Sequence, residues 1–244
     1  MIPSTPRRTW LFLLASSLAF FGPDLLAPAA WLHSVAYERL SALYQAGIVG
    51  LGFWYGPAIC RALVVAEVVG GSLRAALDRA VAGLQGQGLP LPPVTLAEYP
   101  ASFVVTVGLL PKQSEVFLSS GLVQRLSDPG LRFLLARAAV HASLRQRLAA
   151  LLPVLAFTLL LPDAPHSLAA WLILAGALAA WLGLHWLFEL DADRRTGRVL
   201  GREAVSGLLE VQGATASRLG WLSPQPPTPW RLRAVAGAEP AARR

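Results

Sequence analysis

The chain has 244 residues and a formal net charge of +7; 55% of its residues are hydrophobic and only 14% are charged. A soluble domain carries about 25% charged residues, so this composition excludes an ordinary soluble protein. A single cysteine excludes a disulfide-bonded secreted scaffold, and the high hydrophobic content excludes a disordered chain. The sequence therefore predicts an integral membrane protein with one modest polar domain.

The basic residues are almost all arginines, because Lys112 is the one lysine among 21 basic residues. They flank apolar segments, as the positive-inside rule expects of a membrane protein. The sequence has no basic stripe with interleaved aromatic residues. We therefore expect membrane lipid as a partner and no nucleic acid.

Four apolar segments approach the length of about 20 residues that a transmembrane helix needs. The first follows Arg7 and Arg8, and Pro23 with Asp24 predicts a helix break inside it; a cleaved signal peptide is the alternative for this segment. The third is short and contains Pro153. The four predicted spans cover residues 10–31, 43–65, 148–161 and 168–188.

The charges between these segments predict the orientation of the chain. Glu38 and Arg39 are the charges between the first two spans, and Asp163 is the charge between the last two. Residues 72–147 hold eight basic and four acidic side chains, and the tail after residue 188 holds nine arginines. Because basic segments stay in the cytoplasm, we expect a multi-pass protein of a bacterial-type inner membrane, with both termini and the polar domain in the cytoplasm.

The polar segment after the second span predicts a small mixed domain. Apolar residues at helical spacing indicate a helix at residues 73–84. Ser127 or Asp128 as N-cap, with Pro129 in the first turn, begins a long helix that we expect to continue into the third span. Runs rich in β-branched residues predict three short strands, at residues 94–97, 103–107 and 116–118.

The predicted fold class is mostly α, with about four transmembrane helices and a small α+β domain that holds a short sheet. The chain then divides into five parts, of which two cross the membrane. They are a two-span membrane region at 1–71, the polar domain at 72–147, two further spans at 148–188, a helical region with a tail at 189–235, and a disordered C-terminus at 236–244. The side chains that could carry chemistry lie in the second and fourth parts.

Three stretches of the sequence resemble the membrane gluzincin metallopeptidases. Residues 107–141, V-G-L-L-P-K-Q-S-E-V-F-L-S-S-G-L-V-Q-R-L-S-D-P-G-L-R-F-L-L-A-R-A-A-V-H, resemble the strand, turn and helices that lead into the family's H-E-x-x-H zinc helix. F-E-L-D-A-D-R-R at residues 188–195 resembles the E-x-x-A-D element, and P-P-T-P-W-R-L at residues 226–232 resembles the H-P-P-x-x-R-I tail. That tail favours the HtpX-like and CAAX-protease-like branch, with BlaR/MecR-type sensor proteases as the second choice.

The resemblance implies a zinc site, but several residues depart from its motif. In the family, two histidines at i and i+4 bind zinc, and the glutamate between them acts as general base on the zinc-bound water. Here Arg137 stands at the first histidine position, Ala138 at the glutamate position, and His141 at the second histidine position. The third-ligand position keeps Glu189, and Asp193 stands at the supporting acid.

These departures predict that the zinc site is lost. Two remaining ligands cannot build a catalytic zinc site, which uses three protein ligands, and an alanine cannot accept a proton. The tail departs as well, because Gln225 stands where the family has a histidine. We therefore expect no catalytic residue, no metal and no other cofactor. The vestigial positions are Arg137, His141 and Glu189, with support from Asp193.

Arg137 also suggests what replaces the ion. Its guanidinium can pair with Glu189 or Asp193, and we hypothesise that such a bridge ties the two halves of the fold together. The alternative for the two carboxylates is a solvated helix start after the fourth span. The alternatives for the histidines are an ordinary polar contact for His141 and a role as substitute metal ligand for His185.

The function that we expect is binding rather than cleavage. The protein would be a catalytically inactive membrane metallopeptidase homologue that holds a peptide or a membrane segment in the old cleft, or joins a protein partner as a subunit. A peptide strand would add to Glu115–Ser119, the edge strand that the resemblance implies. One alternative is an active zinc endopeptidase that uses His141, Glu189 and either His185 or Asp193. A purely structural subunit is the third possibility.

Overall fold

The computed structural model describes residues 5–32, 34–64, 66–160, 168–215 and 225–238. Over these residues the chain is mostly helical with a small three-stranded sheet, so the predicted fold class is confirmed. The helices are α1 (Pro6–Leu26), α2 (Ala29–Leu32), α3 (Val35–Leu63), α4 (Gly71–Gly86), α5 (Ser120–Val123), α6 (Asp128–His141), α7 (Leu144–Leu160), α8 (Leu168–Leu200), α9 (Glu203–Thr215) and α10 (Thr228–Ala236). The strands are β1 (Val94–Ala97), β2 (Val104–Val107) and β3 (Glu115–Ser119).

Helices α1 and α3 pack as an antiparallel pair. Near the start of α1, Arg8 Nη1 donates to the carbonyl of Ala62 at 3.3 Å and to that of Val64 at 3.0 Å, at the end of α3. Near the opposite ends of the two helices, Tyr37 Oη donates to Asp24 Oδ1 at 2.7 Å. The short connection between the helices therefore lies at one end of the pair, and the chain continues towards the polar domain from the other end.

The helix break predicted at Pro23 and Asp24 is wrong. Helix α1 continues through Pro23 and ends at Leu26. Proline removes one backbone donor from a helix, yet the Asp24 carboxylate has partners outside the helix, because Ser41 Oγ donates to it at 3.3 Å in addition to Tyr37. A satisfied carboxylate does not require the backbone to open, so the helix continues to Leu26. It is capped by Ala27, inside the predicted span, and α2 follows as a separate helix.

Within the part of the chain that the structure describes, three helices are long and apolar enough to cross a membrane, namely Arg7–Leu26, Val35–Leu63 and Trp171–Leu200. The predicted third span coincides with most of α7, which has 17 residues. The rest of that segment, together with Asp163, lies outside the described residues. The count of four spans therefore stays a prediction, whereas three candidate membrane helices are present.

The long helix predicted from Pro129 into the third span is two helices. Helix α6 ends at His141 and α7 begins at Leu144. The carbonyl of Ser143 accepts the backbone N–H of Arg147 at 3.0 Å, as the residue before the start of a new helix does. Helix α8, in contrast, runs without a break across the predicted boundary between residues 188 and 189.

The sheet has the strand order β1-β3-β2, so β3 lies in the middle. Strand β1 is parallel to β3, and β2 is antiparallel to it. The prediction that Glu115–Ser119 is an edge strand is therefore wrong. All five residues of this strand are buried, as expected of a strand that has a neighbour on each side. The two outer strands of the sheet are β1 and β2, and β2 is the one that is antiparallel to β3.

Helix α6 lies at the centre of the described core, where it packs against α4, α8 and α9. Phe133 and Leu135 on this helix are fully buried. Helix α9 approaches closely at Gly207, where an added Cβ would lie 2.6 Å from Phe133 Cβ and 2.7 Å from the carbonyl oxygen of Pro129. This close packing fixes the position of α6, the helix that carries Arg137, Ala138 and His141.

Candidate functional site

Three helices bring four charged side chains together. Helix α6 supplies Arg137, α8 supplies Glu189 and Asp193 one turn apart, and α10 supplies Arg231. Residues at i and i+4 lie on one helix face, so the two carboxylates can contact the same partner. Asp193 is fully buried, Arg231 is 2% exposed and Glu189 is 8% exposed. We call these four residues the charge cluster.

The carboxylate of Asp193 is shared by both arginines. Arg137 donates from Nε to Asp193 Oδ1 at 3.0 Å and from Nη2 to Glu189 Oε2. Arg231 donates from Nε to Asp193 Oδ2 at 2.6 Å and from Nη2 to Asp193 Oδ1 at 2.9 Å. Forked, charged pairs of this kind are stronger than neutral hydrogen bonds. With two cations and two carboxylates, the cluster has no net charge.

The contact between Arg137 and the two carboxylates is the bridge that the sequence predicts. The alternative, a solvated helix start for Glu189 and Asp193, is wrong, because both residues are buried well inside α8. The physical reason is the pairing itself: a buried carboxylate needs a cation or several donors. The structure therefore brings together all four vestigial positions, since His141 Nε2 lies 3.6 Å from Glu189 Oε1.

Burial is the main reason that the pKa of Arg137 lies at about 10, below its ordinary value. The positive charge of Arg231 acts in the same direction, and the negative charge of Asp193 opposes it. Even at this value the Arg137 guanidinium is protonated at neutral pH. It therefore acts as a permanent cation inside the charge cluster.

His141 is neutral at physiological pH. Burial lowers the pKa of His141 well below its usual value, and the positive charges of Arg137 and Arg147 lower it further. Its distance of 3.6 Å from Glu189 Oε1 is longer than a normal hydrogen bond. A neutral imidazole is a possible metal donor, but the neighbouring guanidinium disfavours a second cation here.

The residues present do not fit a catalytic zinc ion. Glu189, the carboxylate that would have to bind the ion, is already paired with Arg137. Ala138, which stands where the resemblance implies the general base, is buried, and its side chain has no hydrogen-bond acceptor. Over the described parts of the chain, no group of three or more His, Cys, Asp or Glu side chains is placed to hold a metal ion.

A cavity of about 230 Å³ adjoins the charge cluster. His141, Gln146, His185 and Glu189 supply its polar lining, and apolar or aromatic side chains supply the rest. The His185 ring stacks on Trp181 with a centroid separation of 5.8 Å. His185, predicted as a possible substitute ligand, therefore faces the same space as two of the vestigial residues.

The sequence did not predict the role of Arg231. The tail motif contains this arginine, but no partner was assigned to it. The residue that could have indicated a partner for Arg231 is Asp193. This carboxylate lies inside a helical segment, and a carboxylate that is buried there needs more than one hydrogen-bond donor. Gln225, at the family's tail histidine position, accepts a hydrogen bond from Arg231 Nη1 at 3.2 Å. The tail thus contributes to the site through an arginine and an amide.

A second arginine that the sequence did not single out lies beside the sheet. Arg147, near the start of α7, is buried and donates from Nη1 to the carbonyl of Thr106 in β2 at 2.8 Å. Its Nε and Nη2 are buried without a hydrogen-bond partner among the described residues. Buried donors of this kind are costly, so this position deserves a functional explanation.

The fold has a counterpart among solved structures. The crystal structure of Ste24p from S. mikatae matches with a TM-score of 0.54 and 14% sequence identity, and Ste24p is a membrane zinc metalloprotease. The chain has a membrane metallopeptidase-like fold. The match covers 95% of this chain and 66% of the Ste24p chain, so this chain spans slightly less than two thirds of that length.

At this level of identity the likeness concerns the fold alone. It confirms that the chain resembles a membrane metallopeptidase, as its sequence motifs suggest, and the HtpX-like branch stays a prediction. No protein-family model matches the sequence, and no curated protein matches it significantly. The function must therefore be argued from the residues of the site.

Proposed function

We propose that this protein is a catalytically inactive membrane metallopeptidase homologue of the HtpX-like branch that works by binding. The observation that carries this proposal is the Arg137 guanidinium, held by Glu189 and Asp193 at a position where the family binds its metal. Ala138 removes the base that would activate water. The charge cluster keeps three helices together, and no group remains at this position to perform the cleavage chemistry.

The edge of β2 supports a role in holding a peptide. The N–H of Ser119 donates to the carbonyl of Phe103 at 3.2 Å, so the alternating pattern of an antiparallel pair directs the peptide groups of Val104 and Thr106 away from β3. An extended segment could pair with these outward groups as an added strand. The strand that receives a peptide would then be β2 rather than Glu115–Ser119.

Arg147 refines this proposal. It already binds the outward carbonyl of Thr106, so an incoming strand must displace it from that carbonyl. Once displaced, the guanidinium would offer several donors to carbonyl or carboxylate groups of the guest segment. We therefore infer that Arg147 occupies the outer edge of β2 when no guest segment is bound.

The membrane setting supports a role as a binding or assembly subunit. Trp10 and Leu14 on α1, Leu51 on α3 and Leu172 on α8 are exposed apolar side chains on candidate membrane helices. Lipid or the membrane helices of a partner would cover them. We propose that both termini and the polar domain lie in the cytoplasm of a bacterial-type cell, because most basic residues fall in the polar domain and in the tail after residue 188.

Restoring the metal motif tests the loss of zinc. The R137H/A138E variant rebuilds H-E-x-x-H on α6 and leaves Glu189 free to bind. We expect the purified parent to contain no stoichiometric zinc and the double variant to contain about one zinc per chain, measured by elemental analysis. The matched control is R132H/A139E, which makes the same two changes elsewhere on α6 and should stay metal-free.

The cavity shared by His141, His185 and Glu189 is the observation that favours the alternative, an active zinc endopeptidase with rearranged ligands. Stoichiometric zinc in the parent, together with casein cleavage that a chelator abolishes, would establish that alternative and refute the inactive homologue. A purely structural subunit would instead purify with a fixed partner in mild detergent, and the R147A variant would keep that partner.

A further inference from the structure

A second cavity, of about 250 Å³, lies between α8 and α10. Leu190 and Arg194 line it from α8, and Trp230, Arg233 and Ala234 line it from α10. Leu190 and Arg194 are four positions apart on α8, and Arg233 and Ala234 follow Trp230 by three and four positions on α10, so each set shares one helix face. None of them belongs to the charge cluster, and the cavity is therefore separate from the vestigial metal position.

The lining of this cavity is positively charged. Arg194 and Arg233 are exposed arginines from two different helices, and the described residues that line the cavity include no acidic side chain. The neighbouring carboxylates along α8 already have cationic partners, because Glu189 and Asp193 belong to the charge cluster. Asp191 is paired with Arg195 at 3.0 Å. Two guanidinium groups that face one space without a carboxylate repel each other, and an anion between them would remove that repulsion.

The position of the cavity along α8 indicates what kind of anion it meets. The apolar part of α8 ends at Phe188, and Trp171 and Trp186 lie about 22 Å apart along the helix axis, as expected of aromatic residues near the two membrane surfaces. Trp186 contacts Trp230 edge-to-face with a centroid separation of 5.7 Å. The cavity therefore begins at the level where the hydrocarbon ends and the headgroups start.

The expected direction of the Arg194 side chain is consistent with a cavity at the level of the lipid headgroups. Side chains on a helix point towards its N-terminus, so we expect the Arg194 side chain to extend back along α8 towards Trp186 and the membrane. Arginines near helix ends commonly extend in this way to the lipid surface. Trp230 is 48% exposed and presents a broad apolar ring beside the two guanidinium groups.

We propose that this cavity binds a phosphate group, held between Arg194 and Arg233, with Trp230 packed against the organic part of the ligand. Guanidinium groups match phosphate oxygens through paired hydrogen bonds. Because the cavity lies at the headgroup level, the bearer of the phosphate is an anionic phospholipid, and a free phosphate is the other source of the same chemistry. This proposal does not depend on whether the vestigial site is active.

Titration of the purified full-length protein in detergent micelles tests the site. Dioleoyl phosphatidylglycerol is the anionic probe and dioleoyl phosphatidylcholine the zwitterionic comparison, and native mass spectrometry gives the apparent Kd for each. We expect R194A/R233A to bind phosphatidylglycerol about 30-fold more weakly than the parent. The matched control is R79A/R202A, which removes two other exposed arginines and should leave the Kd unchanged.

The remaining outcomes separate the two sources and the opposing case. Inorganic phosphate that binds the parent as tightly as the lipid, and is lost in R194A/R233A, supports the site with a soluble ligand. Equal loss in both double variants, or no preference for phosphatidylglycerol over phosphatidylcholine, overturns the proposal. Thermal unfolding of each variant checks its fold, and the single change R233Q on the surface of α10 provides the same test if the double variant is unstable.

Discussion

Asp193 is the residue on which the site depends most. It is fully buried and accepts hydrogen bonds from Arg137 and from Arg231. Moving a charged side chain into a protein interior costs roughly several kcal/mol. Pairing with an opposite charge offsets that cost only when every partner is present. The cluster is therefore neutral and tolerable as a whole, while the removal of one member leaves an unpaired buried charge.

The R137A variant should be strongly destabilised. It leaves Glu189 without its guanidinium and removes one of the two arginines from Asp193, so we expect a loss of about 3–5 kcal/mol, measured by denaturation in mild detergent. The control is R132A on the same helix, whose partner Glu203 is half exposed and which should cost about 1 kcal/mol or less. Equal stability of R137A and the parent would contradict the role assigned to the cluster.

His141 should make the stability of the protein depend on pH. Its pKa in the folded protein lies well below the ordinary value of 6.5, so below about pH 6.5 the unfolded chain binds a proton that the folded chain does not. Stability should therefore fall as the pH drops below 6.5, by at most ~1.4 kcal/mol per pH unit. Melting curves between pH 7.5 and 5 measure this slope, and H141Q should flatten it; identical slopes would exclude His141 as the cause.

At the scale of elements, α6 organises the domain because it packs against α4, α8 and α9 at once. The contact with α9 is unusually close at Gly207, where the backbone carbonyl of Pro129 and the Phe133 side chain leave no room for a Cβ. Interiors packed to this density cannot absorb an added methyl without moving backbone. The orientation of Arg137 towards α8 depends on this packing.

The G207A variant should separate α6 from α9. An added Cβ would lie 2.6 Å from Phe133 Cβ, so we expect destabilisation by about 1–3 kcal/mol, measured by thermal unfolding. Gly213, on the same helix, has open space at the corresponding position. G213A should therefore be neutral or slightly stabilising, because alanine favours a helix more than glycine does. The same sign for both variants would contradict the packing argument.

At the scale of the whole molecule, the membrane helices and the polar domain are joined by contacts at one end. Arg8 and Val64 meet where α1 begins and α3 ends, and Arg61 binds the buried Glu115 of the sheet at 2.7 Å. These contacts place the polar domain on the side of the membrane from which α1 starts. The basic residues at the start of α1 and in the polar domain predict that this side is the cytoplasm.

Cysteine labelling in intact cells should report this orientation. In a C60S background, a cysteine introduced by A30C, between α1 and α3, should react with a membrane-impermeant maleimide. A cysteine introduced by Q87C, after α4, should react only after the cells are permeabilised. The reverse pattern of labelling would invert the proposed topology without affecting the fold.

The sequence by itself determined the membrane character, the approximate position of three strands, and four of the residues that meet at the candidate site, namely Arg137, His141, Glu189 and Asp193. Composition and apolar periodicity are local properties, so they indicate helices and strands without knowledge of contacts. The spacing of Arg137 and His141, and of Glu189 and Asp193, likewise follows from helical geometry. The pairing of Arg137 with Glu189 and Asp193 could be hypothesised because charged side chains that are buried together need partners of opposite charge.

Only the tertiary structure decided which distant elements meet. Arg137 and Asp193 are 56 residues apart, and Arg231 is a further 38 residues from Asp193, so no local pattern assigns the shared carboxylate. The central position of β3 also depends on pairing with β1 and β2 on opposite sides. In each case the result depends on packing between segments that are remote along the chain, and local propensity carries no information about that packing.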